Sequence, residues 1–193
     1  PVNTVHEQMR QMTGTGAEKT KLVNSMLESV SAMGIQSRSA AMLNDIDPKQ
    51  AQEQIKAVGN TLKRYADQEA ALVALLPSAT ATLAETKLLG EVQALGRQTR
   101  PALESALQSA DDADTVTATL TLMTRMAPLE TLWRLKLDEL IDLQNTLNAK
   151  ATASAEQTQT NARWLSGTLV LLAIALGMLI AWRIAQGAAM GAV

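Results

Sequence analysis

Apolar positions recur in alternating steps of three and four along four long stretches of this chain, the spacing of a helical seam. In the first stretch Val2, Val5, Met9, Met12, Gly16, Lys19, Val23, Met26, Val30, Met33, Ser37 and Ala40 keep the rhythm unbroken, with Gly16, Lys19 and Ser37 as its weak points. The segment from Asn44 to Lys49 ends it, because Pro48 disfavours a helical Asp47 and then opens a new helix. The second stretch carries Ile55, Val58, Leu62, Tyr65, Leu72 and Leu76, with Glu69 as its one polar member, and stops at Leu76-Pro77-Ser78. A third runs from about Thr82 to Ser109 with Leu88, Val92, Leu95, Ala102 and Ala106 inward. The acidic turn Asp111-Asp112-Ala113-Asp114 supplies N-cap chemistry for a fourth, which carries Leu129, Trp133, Leu137, Leu140 and Leu147. Pro101 and Pro128 fall inside the third and fourth helices, where each is expected to kink its helix or mark a break. In the polar tract from Gln144 to Asn161, the spacing of Leu147, Ala151, Ala155 and Ala162 favours a continuing helix over a loose stalk.

A different pattern follows. Residues 164–182, WLSGTLVLLAIALGMLIAW, carry no charge and are bounded by Arg163 and Arg183. At 1.5 Å per residue they reach roughly 28 Å, enough to cross a hydrocarbon core of about 30 Å, and Trp164 and Trp182 suit the two interfaces. A transmembrane helix is expected here, fed directly by the fourth helix. One arginine on each side leaves its orientation open.

Composition narrows the class. The 193 residues include no Phe, one Tyr and three Trp, while 32 Ala and 28 Leu supply most of the apolar content. A β-sandwich or barrel would need aromatic and β-branched residues in alternation, so an all-α fold is expected. The net charge of −2, without a basic stripe, argues against nucleic acid as a partner. With no Cys and only His6, disulfides, thiolate metal sites, histidine-based metal sites and a Ser-His-Asp triad are not expected. Neither catalysis nor a cofactor or metal is expected, since nothing assembles a nucleophile, a base and an oxyanion site.

Helices one and four should run roughly 44 and 50 residues against about 28 for two and three. In an up-down-up-down four-helix bundle both overhangs project from one pole, where helix four enters the membrane. Because Pro1 already lies in a helical pattern, a further span before it is the simplest completion. The expected organisation is a bundle over 1–163, a transmembrane helix over 164–182 and the start of a linker over 183–193.

With Ser37-Arg38-Ser39-Ala40 near the end of helix one and Ala181-Trp182-Arg183-Ile184 after the span, the chain resembles the periplasmic sensor domain of bacterial methyl-accepting chemotaxis receptors of the aspartate and serine type. The first motif resembles the segment that carries a ligand-contacting arginine there, and the second is similar to the exit into a HAMP linker. Two departures stand out. The positions five before and four after Arg38, arginines in the aspartate receptor, are Met33 and Met42 here, and no proline follows Ile184. The resemblance implies a bacterial inner-membrane receptor with its bundle in the periplasm. It also implies a small organic acid or amino acid bound near the membrane-distal pole, between helices of two subunits.

Counting back from that pole puts Arg38, with Ser37 beside it, about 10 Å below it, with Arg100 and Thr121 within a few Å of the same layer. Arg97, Thr124 and Arg125 lie somewhat lower. Arginines beside hydroxyls suit a carboxylate, because a guanidinium presents a fork of donors to two oxygens. The alternative is that these arginines are solvated or paired with Asp45, Glu104 or Asp111. A second apolar face on helix one, with Gly34, Ile35, Ala41 and Met42, points to a homodimer through that helix. The small-residue ridge Ala173, Gly177 and Ala181 is compatible with that pairing. Two rival functions share these features: a tail-anchored interaction module, and a sensor domain of a histidine kinase or cyclase without direct ligand binding.

Overall fold

The computed structural model describes the backbone of residues 2–76 and 81–154, with side chains from residue 14 onward. All elements among them are helical: α1 (Val2–Leu43), α2 (Pro48–Ala74), α3 (Leu83–Asp111) and α4 (Thr115–Thr121), which runs into a π-helical turn (Leu122–Met126). Helical backbone resumes at 127 and holds to residue 154; its part over 127–148 is called α5 below. The protein is all-α. It divides into two compact units, Pro1–Asn148 and Ala149–Val193, and of the second only 149–154 are described. The apolar segment 164–182 lies outside the described residues, among which no helix is long and apolar enough to cross a membrane.

Local chemistry sets the helix ends. Asp47 caps α2 by accepting from the Gln50 backbone N–H at 3.1 Å, and Pro48 fills the first helical position, where its missing N–H costs nothing. At the start of α3 the Thr82 hydroxyl accepts from Glu85 N–H while the Glu85 carboxylate accepts from Thr82 N–H, a reciprocal capping box. Asp114 caps α4 through Thr117 N–H, after a turn in which Ala113 takes the left-handed conformation at φ 60°. Pro101 sits inside α3 without ending it. Irregularity falls at the other proline: Pro128 offers no N–H to the Thr124 carbonyl, and just ahead of it the backbone widens, with Ala127 N–H bonding to Leu122 O.

The seam spacing is matched by burial. From Val23 to Ala40 the α1 seam is buried throughout, and Val58, Tyr65 and Leu72 of α2, Val92, Ala102 and Ala106 of α3, and Trp133, Leu137 and Leu140 of α5 join the same core. Register follows from side-chain pairs. Ser29 bonds Gln68 and Gln36 accepts from Thr61, so numbers rise along α1 as they fall along α2. Asn44 meets Thr115, Arg38 meets Glu130 and Thr20 meets Asn148, giving α1 the same opposed sense against α4 and α5.

Candidate functional site

Between α2 and α3 lies a groove of about 270 Å³. Helix α2 contributes Leu62, Tyr65, Ala66 and Glu69, while α3 contributes Gln93, Gly96, Arg97, Arg100, Pro101, Leu103 and Glu104, each set repeating at helical steps of three and four. Trp133 of α5 closes the groove from within the core. Small residues make the space. Gly96 carries no side chain where the indole passes, and a Cβ there would stand 3.1 Å from Trp133 Cζ2.

The floor is a fixed polar relay. The Trp133 and Tyr65 rings meet edge to face with centroids 4.9 Å apart, and Trp133 Nε1 donates to the Tyr65 hydroxyl at 3.1 Å. Burial, reinforced by the negative charge of Glu69, pushes the Tyr65 hydroxyl far above the usual phenol range, so it keeps its proton. Gln93 Nε2 donates to Glu69, at 3.3 Å. The Glu69 carboxylate thus receives a neutral donor.

Above this floor Arg97 and Arg100 stand one helical turn apart on α3, both exposed, with Glu104 one turn beyond Arg100. Among the described residues none of Arg97, Arg100, Glu69 and Glu104 has an ion-pair partner. Two guanidinium forks over an aromatic floor can receive a carboxylate with little reorganisation.

The remaining site residues expected from sequence lie elsewhere. Arg38 is paired: its Nη2 donates to Glu130 Oε2 at 2.6 Å, and its partner is neither Asp45, Glu104 nor Asp111. Gly34 leaves the space for this pair, since a Cβ there would meet Glu130 and come within 2.9 Å of Arg38 Nη1. Ser37 is buried, donating to Gly34 O at 3.1 Å and touching Met126 Sδ at 3.9 Å. Thr121 is buried, Thr124 is exposed and donates to its own helix at Leu120 O, and Arg125 is exposed in the π turn. Arg97 and Arg100 therefore share the groove, while Arg38 and Ser37 belong to the contact between α1 and the π turn with α5.

Sequence reasoning missed the buried roles of Glu85, Glu130 and Gln144. Glu85, 1 % exposed, accepts from Lys19 Nζ at 3.1 Å and from Gln144 Nε2 at 2.8 Å besides its capping role. Burial alone would raise its carboxyl, but the Thr82 N–H, Gln144, Lys19 and the Thr82 hydroxyl together hold it below the ordinary value. The signals were there. Thr82-Leu83-Ala84-Glu85 has the capping-box spacing, and the α5 rhythm Glu130, Trp133, Leu137, Leu140, Gln144 and Leu147 puts Glu130 and Gln144 on the seam itself. Among the described residues no group of His, Cys, Asp or Glu could hold a metal ion. No protein-family profile matches the chain, and no curated protein is significantly similar to it.

Proposed function

We propose that the chain is the ligand-sensing part of a transmembrane receptor of the chemoreceptor type, which binds a small organic acid or amino acid outside the cytoplasmic membrane and signals through the helix entering that membrane. The groove carries the reading: two arginines that pair with no carboxylate among the described residues stand over a fixed Tyr65–Trp133 floor. The opposed register of the helices supports an up-down-up-down bundle, and the uncharged run at 164–182 supports a transmembrane continuation. A ligand would act by favouring one arrangement of Trp133 and α5 over another, since only a difference in affinity between two states moves their balance.

Exposed apolar residues favour a homodimer through the first helix. Ile35 and Met42 fall on one face of α1, 65 % and 70 % exposed, Ile46 in the turn after it is 79 % exposed, and Val116, Leu120 and Met123 are exposed at the same end, where Asn44 meets Thr115. The same stripe favours the second reading, a helical interaction module anchored by its C-terminal segment. Calorimetric titration of the full chain in detergent with a panel of amino and organic acids, beside Arg100→Ala, tests the first reading. Saturable binding of a carboxylate, weakened by Arg100→Ala with helicity retained, is expected. If no acid binds while the chain is folded, direct carboxylate sensing is wrong and the interaction module leads.

A further inference from the structure

We infer that the α2–α3 groove takes a zwitterion: a small molecule with one carboxylate and one ammonium on a short apolar body. The inference rests on the carboxylate-binding reading of the groove and specifies its ligand. The groove carries charges of both signs, two of each, and none is neutralised by another described residue. A simple anion would meet Arg97 and Arg100 but would also face Glu69 and Glu104, and a simple cation would meet the reverse. Only a ligand with both charges satisfies the whole rim.

Glu69 is the more telling group. It is half-buried, lies beside the buried Tyr65–Trp133 floor and accepts from the neutral Gln93 Nε2 at 3.3 Å, which biases its orientation before any ligand arrives. A carboxylate fixed in this way and left without a cation is a ready acceptor for an ammonium. Leu62, Ala66 and Gly96 line the same groove and offer contact to an apolar body. At about 270 Å³ the groove falls just below the roughly 300 Å³ at which drug-sized pockets begin, so the occupant is a small metabolite.

The test uses the full chain in detergent and two matched sets of probes. Leucine and phenylalanine carry both charges, 4-methylpentanoate and 3-phenylpropanoate lack the ammonium, and 3-methylbutylamine and 2-phenylethylamine lack the carboxylate. Calorimetry should find a zwitterion bound at least about tenfold more tightly than either single-charge counterpart. Glu69→Gln, which removes the charge but keeps an acceptor for Gln93, should bring the zwitterion down to the level of its acid while leaving the acid unchanged. Ala66→Leu, which fills the groove and alters no charge, should remove all binding with helicity intact. If the acids bind as tightly as the zwitterions, the inference fails while the carboxylate reading stands. Absence of binding by every probe to the folded chain overturns both.

Discussion

Charge is handled in opposite ways around Glu85 and around Glu69. At Glu85 a carboxylate is taken out of water and surrounded: Lys19 supplies a cation, Gln144 and the Thr82 N–H supply donors, and three helices are tied to one side chain. At Glu69 the carboxylate stays half in water, accepts from the neutral Gln93 amide, and shares a groove with two arginines that form no ion pair with it. The first arrangement is closed and fixes helix register. The second is open, and its charges remain available. Structural and binding roles can thus be separated by asking which charges are already satisfied.

The sharpest break of that contrast is Glu85→Ala. It strands the Lys19 ammonium, whose side chain is 12 % exposed and which pairs with no other carboxylate among the described residues, and about 3 kcal/mol of stability should be lost in urea unfolding. A loss under 1 kcal/mol would show that the knot is not structural. The same carboxyl gives the molecule an acid limit. Held below its ordinary value of 4.5 when folded, it contributes stability that is fully present above that value and lost as pH falls through the lower folded one. Unfolding midpoints should therefore fall below about pH 4.5, and Glu85→Gln should flatten that part of the profile.

Arg38→Ala comes next. Glu130 is buried at 6 % side-chain exposure and would lose its Arg38 cation, but solvent reaches Arg38 at 43 %, which screens the pair. A loss of about 1–2 kcal/mol is expected, smaller than at Glu85. If stability holds and ligand binding disappears instead, Arg38 belongs to the ligand site and its pairing with Glu130 is incidental. Smallest in stability are Arg97→Ala and Arg100→Ala, within about 0.5 kcal/mol of the parent in urea unfolding, because both side chains are exposed and neither holds an ion-pair partner among the described residues. Their effect should fall on binding.

Much of the helical layout was legible in the sequence. The spacing from Gly16 to Ala40 matches the buried seam of α1, and Asp47-Pro48 and Asp114 mark helix starts where they stand. Even the weak points of that seam have a meaning: Gly16 admits Asn148, Lys19 pairs with Glu85, and Ser37 bonds within its own turn against Met126. The site was less legible. A periodic pattern shows which face of a helix is inward but not which residue of another helix arrives opposite it, so Arg38 could not be matched to a glutamate 92 positions away. The groove was hidden for a related reason, since it depends on what is missing at Ala66 and Gly96 and on a tryptophan brought in from α5.

The central claim is that Arg97 and Arg100 receive a carboxylate over Trp133. Replacing Trp164 and Trp182 by Phe leaves Trp133 as the only indole of the three, so its emission reports the groove alone. Titration of that full-length variant with the tightest-binding acid or amino acid should change the emission saturably. The change should vanish in the Arg97→Ala, Arg100→Ala double variant, whose unfolding midpoint stays that of its parent. An emission that ignores the ligand, or a response that survives the loss of both arginines, would contradict it.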